Sequence, residues 1–196
     1  MLSQAKLMTM DPVELHKILD QKNKEELLEE IIALYKKFKV VREFYGLSNK
    51  KKKEHVEIIE GYKHKITNAL WPDGNFEGGL DLEKVNRLLK QFSSVCDNTK
   101  DQIELELYSL YQANSCAICF GGDFGEEYYE YVEERFDQTL NKMIRSRSFE
   151  NQKRNVQAII KNAFEGYGHK DRLEELMAKY ESAKHVQNEN TTRTDR

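Results

Sequence analysis

Residues 23–46 read NKEELLEEIIALYKKFKVVREFYG, and the spacing within them decides the fold class. Leu27, Ile31, Leu34, Phe38, Val41 and Tyr45 recur at alternating steps of four and three, which places them on one face of an α-helix. Leu28, Ile32 and Tyr35 widen that stripe beyond a coiled-coil seam, so the helix expects partners on more than one side. Asn23 offers an N-cap, Glu25 and Glu26 complement the positive end of the helix dipole, and Gly46 supplies a stop. The pattern predicts one continuous helix over residues 23–46 at the centre of a multi-helix domain.

The rest of the chain has the same character. Its 196 residues suffice for one domain with a real core, and 33% charged residues with only 2 Pro suit amphipathic helices better than sheets. Asp11-Pro12 opens a short first helix. Later apolar faces are carried by Val56 to Leu70, Leu82 to Val95, Ile103 to Ile118, Tyr129 to Met143, Val156 to Phe164 and Leu173 to Tyr180. Within the fifth helix the stripe is Ile103, Leu107, Leu110, Tyr111 and Ile118, and Asp171 is placed to cap the last helix. The expected architecture is all-α, with about eight helices in antiparallel pairs, as a bundle or a short helical-repeat-like stack. The expected organisation is a flexible N-terminus at 1–10, a single helical domain at 11–185 and a disordered polar tail at 186–196.

The landmarks also resemble a bacterial family known only as a domain of unknown function. The similar features are Lys24-Glu25-Glu26-Leu27, Ile31 with Leu34-Tyr35-Lys36-Lys37-Phe38, Gly61-Tyr62-Lys63 ahead of Trp71-Pro72, Leu89-Lys90-Gln91-Phe92, the segment Phe120 to Phe136, and Gly166-Tyr167-Gly168. The resemblance implies an all-helical fold and carries over no catalytic residue. The acidic loop after Pro72 and the cysteines before the glycine break depart from the family pattern.

Four places invite a functional reading. Counting from Asp73, the loop Asp73 to Lys84 sets oxygen donors Asp73, Asn75, Glu77 and Asp81 at calcium-loop positions one, three, five and nine, with Gly78 at six. Position twelve is Lys84 where a bidentate Glu belongs, and Glu83 stands one residue early, so the plainer reading makes Asp81 a helix cap. Cys116 and Cys119 have the two-residue spacing of a zinc or redox site, yet no paired His or Cys completes a ligand set, and small apolar packing explains them as well. Lys142, Arg145, Arg147, Lys153 and Arg154 form a basic cluster that could meet phosphates, although the preference for cations at a helix C-terminus accounts for its first members. The Tyr128, Tyr129 and Tyr131 rings point from different helix faces, so some are expected on the surface.

A formal charge of -3 removes any global attraction to nucleic acid or an anionic membrane. No apolar run has the length of a membrane span, and three cysteines without framework spacing fit a reducing, cytoplasmic setting. Motifs of nucleophilic or metal-dependent hydrolysis are missing, and no cofactor is expected. The sequence thus favours a protein-interaction or scaffold module, with a protein partner that includes the chain itself among the candidates. Calcium binding through Asp73 to Glu83 and nucleic-acid association near Arg145 are the alternatives.

Overall fold

The computed structural model describes residues 10–48, 52–71 and 80–193, with residue 52 and residues 183–193 as backbone only. Among these residues all regular structure is helical, so the all-α expectation holds. The chain divides into two compact units, Met1–Tyr45 and Gly46–Arg196.

The first unit carries α1 (Pro12–Leu19), α2 (Lys24–Lys37) and most of α3 (Lys39–Ser48). Asp11 accepts from the Val13 amide at 3.2 Å and Pro12 opens α1. A reciprocal capping box starts α2: the Glu26 amide donates to Asn23 Oδ1 at 3.0 Å, and the Asn23 amide donates to Glu26 Oε2 at 2.8 Å. The continuous helix expected over 23–46 is broken. Phe38 adopts extended φ −113° and ψ 126°, and α3 starts afresh at Lys39. Two β-branched residues, Val40 and Val41, follow the break and lower the local helix preference. The carbonyls freed there are not left open, because Arg42 Nη1 donates to Tyr35 O at 3.2 Å and Lys36 O at 3.0 Å. Tyr35 and Tyr45 meet edge to face, with ring centroids 6.1 Å apart, which holds the elbow between α2 and α3.

The second unit contains α4 (Lys52–Leu70), α5 (Leu82–Val95), α6 (Thr99–Cys119), α7 (Glu126–Arg145), α8 (Phe149–Lys161), a 3-10 turn at Gly166–Gly168 and α9 (His169–Arg193). Side-chain pairings give the helix directions. Lys63 with Glu104, Thr67 with Tyr108 and Trp71 with Gln112 keep a constant register, so α4 and α6 run parallel. Tyr62 on Phe92 and the Asp81 amide on Ala69 O run the other way, so α5 lies antiparallel to α4. Tyr128 with Ala113 O, Thr139 with Glu106 and Lys142 with Gln102 make α7 antiparallel to α6. From α4 to α7 successive helices therefore alternate in direction.

The central helix is α6, which packs on α4, α5, α7 and α8. That role was expected of α2, which has no buried residue. The buried set of α6 runs around the helix, from Ile103, Leu105 and Leu107 to Ala113, Cys116 and Ala117, whereas Tyr111 and Ile118 from the expected stripe are exposed. Small residues allow neighbouring helices to approach from several sides at once. Two further expectations change. Tyr128 and Tyr129 are both buried, because their hydroxyls find the carbonyls of Ala113 and Gly122 at 2.9 and 2.6 Å. The last helix begins at His169, two residues ahead of Asp171, and its backbone stays helical to Arg193.

Burying polar groups in α6 makes its register specific. Asn114 is fully buried, with Nδ2 donating to Ile159 O of α8 at 3.1 Å and Oδ1 3.1 Å from His169 Nε2. Asn114→Ala would leave both partners unsatisfied in a site closed to water, which costs about 1–3 kcal/mol. The expected result is a lower urea midpoint at unchanged slope, while an exposed change such as Lys100→Ala leaves the midpoint within error.

Candidate functional site

Three places have chemistry or surface that the core does not consume. The first lies where α7 meets α9. Glu127, Glu130, Glu134 and Asp137 recur on one side of α7 and line a cleft of about 710 Å³, with Glu133, Tyr131 and Arg172 on its walls. Glu133 connects this cleft to the interior, because Oε1 lies 2.9 Å from Nδ1 of the fully buried His169. The imidazole packs on Tyr129 at a centroid distance of 4.8 Å, and Tyr129 in turn stacks on Phe164 and Tyr167. Gly122, with φ +76°, gives Phe164 its place: a Cβ there would lie 2.2 Å from the ring. Burial lifts the Tyr129 hydroxyl to about 12. A turn therefore clamps an aromatic stack, and the stack holds a histidine.

Two effects oppose each other at His169. Burial disfavours the charged ring and lowers its pKa below the ordinary value, while the Glu133 carboxylate pulls upward. Both ring nitrogens also face oxygens, since Asn114 has committed its Nδ2 to Ile159 O. Protonation would complete both hydrogen bonds at the cost of a buried charge. Burial is the stronger effect, and the ring stays neutral to lower pH than a free histidine. Among the described residues no three His, Cys, Asp or Glu side chains converge to hold a metal ion, so the acids line the cleft without forming a coordination site.

The second place is the set of positions singled out in the sequence. Of the calcium-loop candidates, Asp73, Asn75 and Glu77 lie outside the described residues. Asp81 is the N-cap of α5, its Oδ1 accepting from the Lys84 amide at 2.8 Å. Cys116 is buried with its thiol donating to Leu70 O at 3.1 Å, and desolvation raises its pKa to about 11. Cys119 is exposed, and all three cysteines are free. Within the basic cluster, Lys142 is tied to Glu106 at 2.5 Å and Lys153 to Glu181 at 2.6 Å. Arg145, Arg147 and Arg154 are exposed, Arg147 in a left-handed turn with φ 54°.

The third place is the first unit. Among the described residues, thirteen of the seventeen exposed large hydrophobics fall between Met10 and Tyr45, which concentrates uncovered apolar surface on α1 to α3. Leu28, Ile31, Ile32, Leu34 and Tyr35 of α2 are each at least 40% exposed, and so are Phe38 and Phe44. Sequence periodicity found this stripe. It could not find the Glu133, His169 and Asn114 chain, whose members stand 36 and 55 residues apart.

Two measurements probe these arrangements. In an NMR titration the His169 ring should titrate below 6.5, and Glu133→Gln should move its midpoint lower still by removing the carboxylate that favours the charged ring. A depressed folded-state pKa means that the unfolded chain takes up the proton first. The stability supplied by neutral His169 is thus present above pH 6.5 and lost as pH falls from there toward the folded midpoint. For the thiols, a disulfide reagent should modify Cys119 rapidly in the folded chain, with Cys96 and Cys116 reacting only on unfolding. Fast reaction of Cys116 would contradict its burial.

No curated protein and no solved structure matches the chain. A family model does match, over residues 10–182, which is most of the sequence. The chain therefore belongs to DUF6155, a family of unknown function.

Proposed function

We propose that this protein is a non-enzymatic interaction module, and that its binding face is the apolar stripe of α2 and α3. One observation carries the reading: α2 has a capped, periodic and strongly apolar face, yet none of its residues is buried. A helix gains most of its stability in a protein from covering such a face, so a stripe left in water is a surface that awaits a partner. Aromatic residues support the same reading, since Tyr35, Phe38, Phe44 and Tyr45 are all exposed there and such side chains favour the centres of interfaces. The buried Cys116 thiol with its raised pKa and the ion-paired Lys142 and Lys153 give no competing support to redox or phosphate chemistry.

The test places a photo-crosslinking phenylalanine derivative at Tyr35 of the full chain, with the same residue at exposed Lys100 as control. Irradiation in the native host should give discrete protein adducts from position 35 and none of the same mass from position 100. Absence of adducts at 35, or identical adducts at both positions, would overturn the reading.

A further inference from the structure

We propose that Gly166–Gly168 is a strap that opens while the rest of the second unit stays folded, and that the hydrogen bond from Tyr167 to Asp123 is its catch. The strap lies between α8 and α9, and its central residue forms the exposed end of the aromatic stack. The Tyr167 ring lies 5.3 Å from that of Tyr129, yet Tyr167 is 56% exposed where Tyr129 is 2% exposed. The backbone of the strap is unfavourable on its own. Tyr167 holds φ 57° and ψ 15°, a left-handed conformation that a residue with a side chain seldom adopts, and Gly168 follows at φ +67°. Two contacts of Tyr167 oppose that strain: the ring packs on Tyr129, and the hydroxyl donates to Asp123 Oδ1 at 2.7 Å. Both residues of the hydrogen bond are exposed, so water competes for each end of it. A strained turn closed by one ring contact and one exposed bond opens at lower cost than the helices around it.

The ends of the strap are anchored. On the α9 side His169 is fully buried among Tyr129, Glu133 and Asn114. On the α8 side Ala163 is buried, and the Phe164 ring fills the space beside Gly166, where a Cβ would lie 2.2 Å from it. Glu165 and Lys170, paired at 2.8 Å, tie the two ends to each other. Opening therefore needs rotation only about the backbone of Tyr167 and Gly168, and it moves no helix. It releases the Tyr129 ring from Tyr167 and breaks the bond from the His169 amide to Gly166 O. Tyr129 packs on the imidazole of His169 at 4.8 Å, so the open strap loosens one wall around that buried ring.

The experiment is native-state hydrogen exchange of the full chain, followed by NMR at rising urea below the unfolding transition and read at the His169 amide. A local opening exposes little surface, so exchange at His169 should be nearly independent of urea, while the Leu110 amide in the buried face of α6 should follow the slope of global unfolding. Tyr167→Phe keeps the ring and removes the bond, and the His169 amide should then exchange about two- to tenfold faster, still without a urea slope. Asp123→Ala should give the same rise, and the double variant no more than either single one, because each removes the same bond. A wild-type His169 amide that follows the global slope would overturn the proposal whatever the variants do. Unchanged rates in both single variants, or rises that multiply in the double variant, would overturn it as well.

Discussion

The second unit depends on one constraint: α6 is surrounded, and Glu106, Asn114 and Cys116, polar groups that it buries, are each answered by a neighbouring helix. Asn114 is the clearest instance, because it binds α8 through Ile159 O and α9 through His169 at the same time. Cys116 reaches back to the last carbonyl of α4, and Gln112 accepts from Trp71 at the end of that helix. On the α7 side Ala113 O receives the Tyr128 hydroxyl, while Glu106 takes Lys142 and Thr139. Apolar packing alone would tolerate a slide of one helix along another. A slide here would strand several buried donors and acceptors together, each at a cost of about 1–3 kcal/mol, so the register is held by specific bonds.

The same logic explains why His169 sits where it does. It opens α9 with no exposed surface, between the Tyr129 ring, Asn114 and Glu133. The turn before it is under strain, since Tyr167 holds φ 57° without being glycine and is secured by its hydroxyl on Asp123 Oδ1 at 2.7 Å. Packing against the Tyr129 ring and polar contacts to Glu133 and Asn114 thus fix the N-terminus of the last helix. Glu133 meanwhile presents part of its carboxylate to the acidic cleft, which couples the charge of that surface to a buried ring.

Legibility in the sequence divided along physical lines. Helices α4, α5, α7 and α8 were readable because each has one covered face, and one covered face yields a period near 3.6. The helix α6 was readable as a helix but not as the centre. A segment covered on several sides spreads its small and apolar residues around the axis, so Leu105, Ala113 and Ala117 left no stripe, and the stripe drawn through Tyr111 and Ile118 fell on solvent. The break at Phe38 was hidden for another reason: Val40 and Val41 weaken helix formation without a proline or glycine to mark the place. The site chain of Glu133, His169 and Asn114 joins residues far apart in sequence, and local spacing carries no information about it. Asp81 was legible as a cap because capping is local.

In α2, periodicity was strong and burial was nil, which separates two properties that usually coincide. A pattern of apolar residues records that a face is made to be covered, and it is silent on whether the cover belongs to the same chain. The local structure of α2 is consistent with that distinction. The capping box closes its first turn, Arg42 closes its last, and Lys22 pairs with Glu30 across the first, so the backbone ends are satisfied without any tertiary contact. A helix of 14 residues is near the limit of stability in water even when well capped. What the caps cannot supply is burial of Ile31, Leu34 and Tyr35.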